Sequence, residues 1–190
     1  MAWIRRLPLF WLLLGVLSLL GTGLILTLTR QGIATWSDSG QYFTAARTLL
    51  AGDGLRTCSG GYLTLWPPLF PILIAALQAV GLTNLEAARV INAVAFGLII
   101  FAAGALYRRS LKLPVLALLG AGAVLLSWPQ VLWAIHALSE TVFTLLLVVF
   151  VWLLRRFRFA AILAVGRSQP AGQRNGHRVA LALDPRYAFQ

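Results

Sequence analysis

Polar and apolar positions in this chain fall into long blocks rather than a fine alternation. Residues 7–29 are apolar almost throughout, as are 85–107, broken near the start by Glu86 and Arg89. A third block, 113–134, carries a Ser-Trp-Pro interruption near its end, and a fourth, 138–154, has Glu140 in its first turn. A bilayer-crossing helix needs about 20 predominantly apolar residues, so these blocks predict four spanning helices. A fifth block, 67–82, is shorter and holds Pro67, Pro68 and Pro71. That suits an interfacial or re-entrant helix, with prolines in the first turn where no N–H partner is lost. Within "DSGQYFTAARTLLAG", Tyr42, Ala45, Ala46 and Leu49 recur at the spacing of an amphipathic helix. Asp38 or Ser39 is placed to cap it, and Gly52 or Gly54 to end it. The expected fold class is all-α: a polytopic transmembrane bundle of about four spans, with amphipathic juxtamembrane helices on the outer face.

Composition strengthens the membrane reading. The chain is 59% hydrophobic and 11% charged, against about 45–50% and about 25% in soluble domains. A net charge of +11 is the usual footprint of a nucleic-acid binder, but its distribution points elsewhere. Arg5-Arg6, Arg108-Arg109 with Lys112, and Arg155-Arg156 with Arg158 each abut an apolar block. Such clusters are topology signals, retained on the cytoplasmic side, and no nucleic acid is expected as a partner. If 67–82 does not cross, the N-terminus and all three clusters lie inside, and the loop 30–84 lies outside. If it crosses, the second and third clusters face outward, against the bias. The first arrangement predicts a multi-pass inner-membrane protein with Asp38, Asp53 and Glu140 on one outer side. The single cysteine, Cys58, rules out an internal disulfide. From 159 to 190 the sequence turns polar and basic, which reads as a disordered cytoplasmic tail or the end of an interrupted reading frame.

Two acids are candidates for chemistry. Asp38 opens the amphipathic segment, where a cap is its ordinary role. Glu140 stands at the mouth of a span, where an ionisable group is a functional hypothesis by default, although it also complements the helix dipole there. His136 is a candidate ligand or shuttle, and Arg47 and Arg56 could hold a lipid phosphate. Glu86 and Arg89 are spaced to pair with each other. Trp36, Trp66, Trp128 and Trp133 fall where an outer aromatic belt is expected.

The order of features, "DSGQYFTAARTLLAGDGL", then "WPPLFPILIAAL", "EAARVINAVAFGLIIFAAGALYRR" and "WAIHALSETVFTLLL", resembles the N-terminal part of GT-C type membrane glycosyltransferases. That group includes protein O-mannosyltransferases and the aminoarabinose transferases of lipid A; the chain looks most like bacterial dolichyl-phosphate-mannose mannosyltransferase-like members. The resemblance covers about residues 5–158. It implies that Asp38 is the catalytic base on an acceptor hydroxyl or helps hold a divalent metal ion, and that Glu140 is an accessory carboxylate that orients acceptor or metal. Many members carry Asp-Glu where this chain has Asp38-Ser39. Pro67-Pro68 matches the element after the outer loop. Tyr42, Arg47 and His136 become candidate substrate-binding residues. The implied partners are a polyprenyl-phosphate-linked sugar donor, a lipid, glycan or protein acceptor, and the bilayer. Such enzymes are longer, so the chain is expected to be a truncated portion. The competing expectation is a small non-catalytic membrane protein that scaffolds partners or binds lipid.

Overall fold

The computed structural model describes the backbone of residues 6–168 and the side chains of 9–155. These residues form seven helices, and no strand is found among them. They are α1 (Arg6–Leu28), α2 (Ser37–Leu50), α3 (Leu69–Gln78), α4 (Asn84–Ser110), α5 (Pro114–Leu125), α6 (Trp128–Ala134) and α7 (Glu140–Ser168). The described residues up to Val148 form one compact unit, and a second begins at Val149, within α7. The all-helical expectation holds.

Two helices are long and apolar enough to cross a membrane: Leu9–Leu28 within α1, and α4. α5 and α6 become a third if counted together as one broken span, bent by 51°. The bend lies at Leu126–Ser127, where Pro129 has no N–H to donate to the Leu125 carbonyl four residues back and its ring crowds that carbonyl, so the α5 ladder cannot run on into α6. α7 is apolar from Thr141 to Leu154. It continues helically through Ser168, so residues 159–168 of the segment read as a tail are helical. The remainder, 169–190, lies outside the described residues.

α1 and α4 lie side by side because small residues let them approach. A Cβ on Gly97 would meet the Ser18 carbonyl oxygen at 2.8 Å, and the Ser18 hydroxyl donates to the Gly97 carbonyl at 2.8 Å. This is the small-residue contact typical of membrane helices. Phe10, Leu14, Ile25, Ala93, Phe96, Ile100, Ala117 and Ala121 fill the core shared by α1, α4 and α5.

A second core sits at the other side of the first turns of α4. There Ile33, Tyr42, Ala46, Phe70, Ile74, Ala88, Ala95, Ala137, Leu138 and Val142 pack together. It joins α2, α3, the N-terminal part of α4 and the start of α7. α3 contributes Phe70, which is 1% exposed; burying such a ring is worth about 1.5–3 kcal/mol. At ten residues, α3 measures about 15 Å and is by itself too short for a hydrocarbon core of about 30 Å.

Local chemistry fixes the helix ends. α2 begins at Ser37, one residue ahead of the expected caps, and neither Asp38 nor Ser39 is the N-cap. Ser39 Oγ instead accepts from the Trp36 N–H at 2.9 Å from within the first turn. At the far end the Gly52 N–H donates to Leu49 and the Asp53 N–H to Thr48, with Gly52 at φ +88°. That left-handed closure favours glycine, as the sequence predicts. α4 opens with a capping box, Thr83 and Glu86 bonding each other's backbone N–H groups. Glu86 and Arg89 therefore bond elsewhere rather than to each other. Arg89 reaches back to α1, its Nη2 donating to the Leu26 carbonyl at 2.7 Å and its Nε to Thr29 Oγ1 at 3.2 Å. A cation at a helix C-terminus satisfies carbonyls that have no partner within the helix and complements the dipole.

Candidate functional site

The segment between α6 and α7, residues 135–139, is the structural centre of the candidate site. Its backbone runs beside Ala34: the Ala34 N–H donates to Ile135 O at 3.0 Å, and the Ala137 N–H donates to Ala34 O at 2.8 Å. The Asn92 amide of α4 donates to His136 O at 2.6 Å. The Ser39 hydroxyl of α2 donates to Ala137 O at 2.9 Å. The carbonyls of three successive residues are thus satisfied by three different parts of the chain. Buried backbone groups require such partners, and here the partners lock α2 and α4 onto the turn that opens α7.

This arrangement sets the helix that bears Asp38 against the residue before Glu140. Tyr42 is 3% exposed, lies edge-on to Phe70 at 5.2 Å, and shares a 2.9 Å hydrogen bond with Ser139 Oγ. Its pKa lies above the ordinary value of 10.0: burial is the main cause, partly offset by the Ser139 hydrogen bond, and the charges of Glu140 and Asp38 push the same way as burial. Both carboxylates therefore lie within electrostatic reach of one phenol. Asp38 precedes Tyr42 by four residues and shares its helix face, and its side chain is exposed. Glu140 follows Ser139 directly and is partly buried, with Oε2 enclosed and without a hydrogen-bond partner.

The other predicted residues divide. His136 belongs to the site: its Nδ1 lies 2.7 Å from Leu132 O. A carbonyl only accepts, so Nδ1 carries the proton and Nε2 is left facing outward from that bond. Trp36 stacks on the His136 ring at 5.5 Å and 29°, and Trp133 lies 6.3 Å from Trp36. Arg47 lies on the other side of α2 from Asp38. It is nine residues beyond Asp38, about 180° around the helix at about 100° per residue, and its guanidinium donates to Thr44 Oγ1 at 3.5 Å. Arg56 is engaged in its own loop, donating to Asp53 O and Gly60 O and lying over the Tyr62 ring.

Ser39, Asn92 and Ser139 are essential to this geometry; the sequence reading gives Ser39 only a candidate capping role, and Asn92 and Ser139 none. Asn92 was the most legible of them, as a single amide inside an otherwise apolar run, where polar side chains act between helices. Ser39 occupies a structural position. It is fully buried and uses its hydroxyl both as acceptor from Trp36 and as donor to Ala137, so this position is a joint between helices. For a divalent ion the site offers Asp38 and Glu140. Among the described residues no three His, Cys, Asp or Glu side chains gather, whereas a protein-built calcium cage takes about six to eight oxygens. Two carboxylates fall short of a dedicated protein-built cage of that kind.

No protein-family model, curated protein or solved structure matches this chain.

Proposed function

We propose that the chain is the acceptor-activating part of a membrane glycosyltransferase that takes a sugar from a polyprenyl-phosphate donor at the outer face of an inner membrane. In this reading α1, α4, the α5–α6 pair and α7 are four spans, the N-terminus is cytoplasmic, and α2 and α3 rest on the outer surface. The Tyr42–Ser139 hydrogen bond carries the proposal. It ties the helix that bears the exposed Asp38 to the residue immediately before Glu140, 102 positions further along the chain.

The chemistry follows from that exposure. An acceptor hydroxyl attacks the anomeric carbon, the bond from that carbon to the phosphate oxygen breaks, and the phosphate leaves with the electron pair. The configuration inverts, and the hydroxyl proton passes to the Asp38 carboxylate. General-base help of this kind is worth about 10²–10⁴-fold. Glu140, fixed through Ser139 and Tyr42, orients the acceptor hydroxyl beside the base.

The test is incorporation of labelled sugar from a polyprenyl-phosphate donor by membranes containing the chain. Asp38→Asn is expected to abolish it to within background, and Glu140→Gln to reduce it. Full retention in Asp38→Asn would instead favour the non-catalytic scaffold.

A further inference from the structure

The stacked rings of Trp36 and His136 have a feature that membrane anchoring does not require. Trp36 is 61% exposed, yet one face is braced by the His136 imidazole at 5.5 Å. That imidazole is itself held through Nδ1 to Leu132 O, and its backbone carbonyl is held by Asn92. The indole is therefore backed by a ring fixed to two further helices. Two residues along the chain stands the exposed Asp38 carboxylate, which makes no hydrogen bond to the described residues. Nε2 of His136 is likewise not used in any hydrogen bond among them.

We infer that Trp36, Asp38 and His136 Nε2 form a subsite for a neutral sugar ring. A pyranose has one face of polarised C–H bonds, which lies favourably on the negative face of an aromatic ring. Its edge carries hydroxyls that donate to a carboxylate and to an imidazole nitrogen. Hydrogen bonds to an ionised group are the stronger kind, and a carboxylate accepts from two neighbouring hydroxyls at once. A phospholipid headgroup suits the place less well: its phosphate would meet the like charge of Asp38, with no arginine in the cluster to offset it. Arg47, the basic residue of α2, is on the opposite side of that helix. The ring on Trp36 is the acceptor's own sugar, which sets a hydroxyl beside Asp38. Only this assignment as acceptor rests on the glycosyl-transfer reading; the binding itself does not.

The full chain in phosphatidylcholine nanodiscs, probed by saturation-transfer difference NMR with a panel of neutral methyl hexopyranosides, tests the subsite without turnover. Saturation is expected to reach the ring C–H protons of at least one sugar. Trp36→Leu should weaken that binding about tenfold, the upper value of one aromatic contact, while Trp36→Phe retains most of it and Asp38→Asn weakens it. Because Trp36 is mostly exposed, these variants keep the fold, which unchanged thermal unfolding verifies. The subsite is overturned if no sugar receives saturation, or if Trp36→Leu leaves it unchanged. It is equally overturned if spin-labelled lipid headgroups broaden the Trp36 indole signal and added sugar does not relieve it. Sugar binding alongside null glycosyl transfer would remove the enzymatic reading alone. Asp38-dependent transfer without sugar binding would remove the subsite alone.

Discussion

The Tyr42 hydroxyl lies 2.9 Å from Ser139 Oγ, joining the helix that bears Asp38 to the residue immediately before Glu140. Removing it in Tyr42→Phe leaves the buried Ser139 hydroxyl without this partner. The expected loss is about 0.5–1.5 kcal/mol for one net hydrogen bond, and more if Ser139 stays unsatisfied. Thermal or denaturant unfolding in detergent measures it. Ser139→Ala in the Tyr42→Phe background should then cost little more, because the pair acts as one unit.

The same tyrosine gives a pH prediction. Its folded pKa is raised above 10.0, chiefly by burial. A raised folded value means that the contribution of this group to stability is fully present below the unfolded value and is lost as pH rises through the folded one. The ultraviolet phenolate signal that distinguishes wild type from Tyr42→Phe should therefore emerge only above pH 10. Asp38→Asn should bring it lower, by removing one of the negative charges. A Tyr42 phenolate that forms at or below the ordinary value would contradict the burial and the carboxylate placement together.

Packing between α1 and α4 is tested at Gly97. A methyl there meets the Ser18 backbone oxygen at 2.8 Å, and backbone cannot rotate away. Gly97→Ala is expected to cost about 1–3 kcal/mol, the range for overpacking. Gly23→Ala, where an added Cβ meets nothing within 4 Å, should be tolerated. Comparing the two variants by thermal unfolding separates close approach from any general effect of alanine in a helix.

Arg89 makes a distinct claim, because its spacing pointed to Glu86 and its guanidinium went to α1. Arg89→Met should destabilise the chain by about 1.5–3 kcal/mol, the worth of a charge-assisted hydrogen bond. Glu86→Gln should have a much smaller effect on that contact. Equal losses from the two variants would indicate a pair after all.

Much of this architecture was legible because apolar blocks and turn residues act locally. The span boundaries at α1 and α4, the bend before Pro129, and the glycine closure after Ala51 follow from hydropathy and backbone sterics within a few residues. The amphipathic face of α2 was equally plain, and Tyr42, Ala45 and Ala46 are its buried residues. The site was half legible. Asp38, His136 and Glu140 stood out as polar groups at the ends of apolar runs. That Ser39 and Asn92 would satisfy adjacent carbonyls of one turn was not, since those bonds link positions 98 and 44 residues apart. Arg47 is a different case: charge type suggests a role, and helical phase places it on the side of α2 away from Asp38.

The central claim is that α2 and the turn before α7 make one site on the outer face, and Cys58 reports on it without any substitution. It is the chain's only cysteine and is exposed. It also leans on α2, with its N–H donating to Gln41 Oε1 at 2.9 Å and its thiol 3.2 Å from Thr44 Oγ1. In intact cells or spheroplasts, a membrane-impermeant maleimide should label Cys58 readily. A cysteine placed by Lys112→Cys in a Cys58→Ser background should react only after permeabilisation. Labelling of Cys58 only after permeabilisation would put α2, Asp38 and the whole proposed site on the cytoplasmic side, and would contradict the account.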